Sequence, residues 1–115
     1  MTGTIPSEIG HITGLASVSI TNSSLTGTIP VEIGNLEGLR RLWLYSNSLT
    51  GEIPKQLQNL DQLQILELHD NDLRGSMPDG ICTVIGGCDY EYKSLTSDCS
   101  SSRVKCGSDC CTECY

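Results

Sequence analysis

Residues 39–54 read Leu-Arg-Arg-Leu-Trp-Leu-Tyr-Ser-Asn-Ser-Leu-Thr-Gly-Glu-Ile-Pro, and the same frame recurs at residues 15–30 and 63–78. Each copy ends in a Gly-x-Ile/Met-Pro turn, and a further turn of this kind lies at residues 3–6. Successive turns, such as those opening at Gly3 and Gly27, are 24 residues apart. A unit this short cannot bury its own apolar face, so the repeats are predicted to stack into a solenoid with one shared core.

Apolar residues fill the same positions of every copy, and we expect all of them to face the core. The strand portion, apolar-x-apolar, has the period of two that is typical of a short strand with one buried face. One such strand in each coil predicts a parallel sheet, and the part rich in glycine and proline predicts a short 3₁₀ helix. The predicted core residues are Leu15, Val18, Ile20, Leu25, Ile29, Ile33 and Leu36; Leu39, Leu42, Leu44, Leu49, Ile53, Leu57 and Leu60; Leu63, Leu66, Leu68, Leu73, Met77, Ile81 and Val84; and Ile5, Ile9 and Ile12 of a partial first unit.

Polar residues follow each strand where the chain turns inward. Asn47 and Asn71 are equivalent, and a buried amide there can bond backbone groups that a non-helical turn leaves unpaired. The first repeat has Ser23 at this position. A hydroxyl satisfies fewer partners, so we expect this turn to be the least firmly held.

The pattern Leu-x-x-Leu-x-Leu-x-x-Asn-x-Leu-x-Gly-x-Ile-Pro resembles the plant-specific class of leucine-rich repeat over residues 3 to about 84. The resemblance implies an α/β solenoid with a concave parallel sheet and a second short strand in each coil. It also implies recognition of proteins or peptides, not catalysis. The predicted domains are residues 1–84, one partial and three full repeats, and residues 85–115, a C-terminal cap.

The repeat frame breaks after Ile81. A register shifted by five residues is favoured, which makes Leu95–Cys99 the last strand. The tail resembles the cysteine-rich cap of short secreted leucine-rich-repeat proteins of diatoms and related algae. A zinc site is weighed and disfavoured because Cys110 and Cys111 are adjacent, so disulfides are expected and no metal or other cofactor. The disulfide candidates are Cys82, Cys99, Cys106, Cys110, Cys111 and Cys114, with Cys88 left unpaired.

The amino-acid composition limits which cellular compartment and which classes of binding partner are expected. Seven cysteines, all after residue 81, predict an oxidising place such as the extracellular space or an organelle lumen. A formal charge of −7 disfavours nucleic acid, and no stretch is apolar enough to insert in a membrane. No signal peptide is visible, and we expect the chain to be the C-terminal part of a longer protein.

The residues between the buried leucines are predicted to form three rows across the sheet. Because Trp, Tyr and Arg most often anchor protein interfaces, we expect binding to centre on Trp43, Tyr45 and Arg41. The plain alternative is that these aromatic rings only cover neighbouring side chains. The rows are Ser17, Arg41, Ile65; Ser19, Trp43, Glu67; and Thr21, Tyr45, His69.

The sequence also bears on catalysis, glycosylation, assembly and ice binding. His69 beside Glu67 and Asp70 is a candidate acid/base group, but no serine or cysteine nucleophile is placed with it and an open concave face does not exclude water. No catalytic residue and no enzyme are therefore predicted. Asn22-Ser-Ser24 is a candidate glycosylation site. The functional alternative to recognition is a structural subunit of an extracellular or lumenal assembly, in which missing repeats or a partner subunit cover the N-terminal edge. Ice binding ranks low because the row of Ser19, Trp43 and Glu67 is irregular.

Overall fold

A computed structural model describes residues 3–76, 80–81, 94–97, 104–105 and 113–114. Gly80 and Ile81 are helical. The strands and 3₁₀ helices, in chain order, are β1 (Gly3–Thr4), η1 (Ser7–His11), β2 (Ser17–Ser19), β3 (Leu25–Thr26), η2 (Val31–Asn35), β4 (Arg41–Trp43), β5 (Thr50–Glu52), η3 (Lys55–Asn59), β6 (Ile65–Glu67), β7 (Asp72–Ser76), β8 (Ser94–Ser97), β9 (Val104–Lys105) and β10 (Glu113–Cys114).

A parallel sheet of five strands, here called the main sheet, runs through the molecule in the order β10-β8-β6-β4-β2. Leu42 lies opposite Val18 on one side and Leu66 on the other, so equivalent residues of successive repeats are neighbours. Leu66 in turn pairs with Leu95, which is the register predicted by the five-residue shift. The predicted parallel sheet is therefore confirmed.

The prediction that Leu95–Cys99 is the last strand is wrong. β8 ends at Ser97, and β10 pairs with it through Glu113 opposite Thr96. The sequence around β10 lacks the alternating apolar pattern of the repeats, so that pattern does not predict this strand. The domain boundary between residues 84 and 85 stays a prediction.

A second set of short strands forms on another side of the coil, as the resemblance implied. β1 pairs with β3, and β7 pairs with β5 on one side and β9 on the other, all in parallel. A bridge between Thr28 and Thr50 connects the two groups. The register of these second strands differs from that of the main sheet. Thr4 lies opposite Thr26 and Thr50 opposite Asp72, which are paired positions 22 residues apart in the chain, whereas paired residues of β2 and β4 are 24 apart.

The third side carries the predicted 3₁₀ helices, which stack closely because glycine occupies the contact. Each helix follows a proline in extended conformation: Pro6, Pro30 or Pro54. A Cβ on Gly34 would lie 2.6 Å from the carbonyl oxygen of Gln56, and one on Gly10 would lie 2.7 Å from that of Glu32. Only a residue without a Cβ allows neighbouring coils to approach this closely.

The core is a column of leucine and isoleucine side chains enclosed by these three sides. Leu42 and Leu66 on the main sheet are fully buried, as are Leu36, Leu57 and Leu60 from the helical side. At about 25 cal/mol per Å² of apolar surface, this burial is the main stabilising contribution to the fold.

The prediction that every apolar position of the repeats faces the core is wrong for Ile12, at the N-terminal end. Ile12 is 55% exposed, whereas Ile9, Leu15 and Ile20 are partly buried and pack against the core. Their equivalents one repeat later are enclosed by coils on both sides. Within the described residues, Ile12 has no earlier coil to cover it.

The predicted disulfides fall outside the described part of the chain. This holds for Cys82, Cys99, Cys106, Cys110 and Cys111, and for Cys88, which was predicted to be unpaired, whereas Cys114 is described only as a backbone position of β10. Among the residues that the structure describes, no helix is long and apolar enough to span a membrane.

Candidate functional site

The outward residues of β2, β4 and β6, with the residues that directly follow these strands, form one surface that we call the open face. Successive side chains of a strand point to opposite sides of the sheet, so every second residue lies on the open face. In β4, Leu42 is buried, whereas Arg41 is exposed and Trp43 is half-buried. The pairing of Ser17, Arg41 and Ile65, and of Ser19, Trp43 and Glu67, makes two rows. The third row, Thr21, Tyr45 and His69, lies just beyond the strand ends, and all three side chains are half-buried.

Trp43 is held by a hydrogen bond to the next strand. Its indole Nε1–H donates to Oε2 of Glu67 at 2.9 Å, and both side chains are half-buried. A hydrogen bond to a carboxylate is stronger than one between neutral groups, so it fixes the orientation of the ring. The half-buried indole is therefore held in one orientation on the open face.

Tyr45 is stacked on His69 in the same way. The ring centroids are 4.7 Å apart and the planes differ by 7°. Such a pair contributes about 0.5–1.5 kcal/mol beyond its buried area. Two aromatic side chains of β4 and its turn are thus both ordered by partners on the next repeat.

The turn that follows β2 is held by the side chain of Asn47, from the next repeat. Its Oδ1 accepts hydrogen bonds from the backbone N–H groups of Ser23 and Leu25 at 3.0 and 3.2 Å, and its Nδ2 donates to the carbonyl of Ile20 at 2.8 Å. Ser23 makes one side-chain bond, from its hydroxyl to the carbonyl of Thr21 at 2.8 Å. The first turn is thus tied mainly by the amide of the following repeat.

Asn71 does the same for the next turn, and it is 7% exposed. Its Oδ1 accepts from the backbone N–H of Leu49, and its Nδ2 donates to the carbonyls of Leu44 and Leu68, each at 3.0 Å. The two amides link successive repeats at the rim of the open face. They hold Tyr45 and His69 in register.

A row of left-handed residues at this rim was not predicted from the sequence. Asn22, Ser46 and Asp70 have φ values of 50°, 58° and 58°. The hydroxyl of Ser46 donates to Oδ2 of Asp70 at 3.0 Å. Asn and Asp tolerate a positive φ better than most residues. The presence of Asn22 and Asp70 is therefore the only feature of the sequence that indicates this conformation.

Sequence reasoning also missed a groove of about 750 Å³ between η2, η3 and the second strands. It shares no residue with the open face. The groove is lined by Thr28, Ile29, Val31, Glu52, Ile53, Pro54, Lys55, Gln56 and Gly75.

The described residues offer no cluster of three or more His, Cys, Asp or Glu side chains arranged to hold a metal ion. His69 lies against the ring of Tyr45, and Glu67, the last residue of β6, accepts the indole N–H of Trp43. Both groups take part in ordering the open face. What this arrangement offers chemically is a fixed set of aromatic, cationic and polar contacts.

Comparison with known proteins identifies this architecture. The leucine rich repeat model matches residues 13–73. The chain belongs to the leucine-rich repeat family. Among curated proteins, none matches the sequence significantly.

Solved structures extend the comparison of this leucine-rich repeat chain to plant receptors. It is similar to the leucine-rich repeat ectodomain of the receptor kinase GASSHO1/SCHENGEN3 from Arabidopsis thaliana, in complex with CASPARIAN STRIP INTEGRITY FACTOR 2, at 41% identity and TM-score 0.70 over 72% of this chain and 10% of that one. The plant peptide hormone receptor RGFR1, in complex with RGF2, is 34% identical with TM-score 0.73 over 84% of this chain and 15% of that one.

A third similar structure is a plant ice-binding protein. It is 36% identical, with TM-score 0.71, over 84% of this chain and 32% of that one. The chain therefore spans a minor part of each of these relatives.

Proposed function

We propose that this leucine-rich repeat chain is a non-catalytic recognition module that binds a protein or peptide through the open face, which we take to be the concave side of an extracellular solenoid. The observation that carries the proposal is that Trp43 and Tyr45 are each ordered by a partner on the next repeat. Ordering before binding lowers the entropy lost on association. Trp and Tyr are among the residues that most often anchor an interface.

The comparisons support this class of function. Two of the similar structures are of plant receptors solved with another molecule bound, CASPARIAN STRIP INTEGRITY FACTOR 2 in one and RGF2 in the other. The row of Ser19, Trp43 and Glu67 differs in size and charge from one strand to the next. Such a row suits a shaped macromolecular partner better than the flat lattice of ice.

The arrangement of Arg41 adds to the proposal. It is exposed, begins β4 and is the middle residue of the row next to that of Trp43. We propose that Arg41, Trp43 and Tyr45 form the centre of the contact. Ser19, Thr21, Ile65, Glu67 and His69 then form its surroundings, with Ser23, Asn47 and Asn71 as structural supports.

Alanine at Trp43 or Tyr45 should weaken binding about 30-fold or more, the loss expected for an anchor contributing about 2 kcal/mol. The probe is a set of peptides selected by display against the folded chain. Val31→Ala is the control, because Val31 is apolar and 46% exposed but lies on η2. Equal binding of the selected peptides to all three variants would exclude the open face as the site.

A second candidate function rests on the edge strand β2. β2 is one of the two terminal strands of the main sheet, and Ile12, which precedes it in the chain, is 55% exposed. We propose as the alternative that a neighbouring subunit of an extracellular or lumenal assembly stacks on this edge. Its backbone would pair with β2 and its apolar residues would cover Ile12.

Under this alternative, Ile12→Lys abolishes self-association while Val31→Lys does not, since only Ile12 lies at the N-terminal edge. Light scattering over a range of protein concentrations measures the mass of each variant. A wild-type chain that stays monomeric at every protein concentration would contradict the proposal that copies of this chain assemble through the N-terminal edge.

A further inference from the structure

The turn after β2 contains Asn22-Ser23-Ser24, and no other Asn-x-Ser/Thr sequence occurs in the chain. This is the acceptor sequence for N-linked glycosylation. Asn22 and Ser24 are both exposed, and Ser23 between them is half-buried. The acceptor and the required hydroxyl are therefore both at the surface of the folded chain.

In the described part of the chain, the side-chain amides of Asn47 and Asn71 hold the turns together, whereas that of Asn22 does not. Asn47 Nδ2 donates to the carbonyl of Ile20, and Asn71 Nδ2 donates to that of Leu44. Within the described residues, Asn22 makes no side-chain hydrogen bond. A sugar on its nitrogen would thus break no described contact.

Neither the backbone conformation at position 24 nor any hydrogen bond within the described residues accounts for a serine there. Its φ is 56°, a conformation that is unfavourable for a side chain with a Cβ and is tolerated best by Gly, Asn and Asp. Its hydroxyl has no hydrogen-bond partner in the described part of the molecule. A hydroxyl two residues after the acceptor is what the glycosylation sequence requires.

We propose that Asn22 carries an N-linked glycan when the chain passes through a secretory pathway. The sugar projects from the rim at the outermost strand, one residue beyond Thr21. If the open face binds as proposed, the glycan restricts the ligand to β4 and β6, where Trp43 and Glu67 lie. The modification itself does not depend on that function.

Secretion of the chain from a eukaryotic host, behind a cleavable signal peptide, tests the proposal. Intact mass is measured before and after peptide N-glycosidase F, which removes the sugar and converts the acceptor Asn to Asp. The wild-type chain should lose the mass of a glycan and gain Asp at position 22. Ser24→Ala and Asn22→Gln should show no such loss.

Ser23→Ala is the matched control, since it removes a neighbouring hydroxyl but keeps an Asn-x-Ser sequence. It should be glycosylated like the wild type. Circular dichroism shows that each secreted chain is folded. A folded, secreted wild-type chain whose mass is unchanged by the enzyme would overturn the proposal, whatever the result of the peptide-binding tests.

Discussion

Replacing Asn71 with alanine should lower the free energy of unfolding by about 3–5 kcal/mol, because each buried backbone group left unsatisfied costs about 1–3 kcal/mol. The affected groups include the N–H of Leu49 and the carbonyls of Leu44 and Leu68. Asn71 is 7% exposed, so water does not readily replace the amide. Urea unfolding followed by the fluorescence of the single tryptophan measures the loss.

Asn59→Ala is the matched control for Asn71. Asn59 is an exposed asparagine at the end of η3, and its replacement should change stability by less than about 0.5 kcal/mol. Equal unfolding midpoints for the two variants would show that the amide of Asn71 does not hold the repeats together.

Gly34→Ala should destabilise the chain by about 3 kcal/mol, the upper part of the range for overpacking. The new Cβ would lie 2.6 Å from the oxygen and 3.1 Å from the carbon of the Gln56 carbonyl. These are backbone atoms, so no change of rotamer relieves the clash. The coils of η2 and η3 must move apart, which opens the core beneath them.

Gly38→Ala provides the control in the same repeat. Its nearest contact would be the carbonyl oxygen of Leu15 at 3.9 Å, an ordinary van der Waals distance. Alanine there should leave stability unchanged or raise it by about 0.4–1 kcal/mol through the unfolded state. Similar unfolding midpoints for Gly34→Ala and Gly38→Ala would contradict close helix stacking.

Much of the fold follows from the apolar pattern of the sequence. Positions such as Leu42 and Leu66 recur in a frame that only stacked strands can satisfy, so their pairing was predictable. The same logic extended to Leu95, whose register needed only a choice between two alignments. Ile12 was misjudged because a repeat pattern predicts burial only where a neighbouring coil is present.

The details of the candidate site were less predictable. The sequence placed Trp43 beside Glu67 and Tyr45 beside His69, because register alone decides which residues are neighbours. Whether those neighbours bond, stack or point apart depends on side-chain rotamers and on local solvation. The positive φ of Ser24 was also hidden, since serine is not a residue that normally marks this conformation.

The most direct test of the central claim, recognition through the open face, is the ¹⁵N-¹H resonance of the Trp43 indole during titration with a peptide selected against the folded chain. Trp43 is the only tryptophan, so its indole signal needs no further assignment. Binding at the open face would perturb the ring or its bond to Glu67, and the resonance should shift in proportion to occupancy. A peptide that binds and shifts other resonances while the indole signal stays constant would contradict the account.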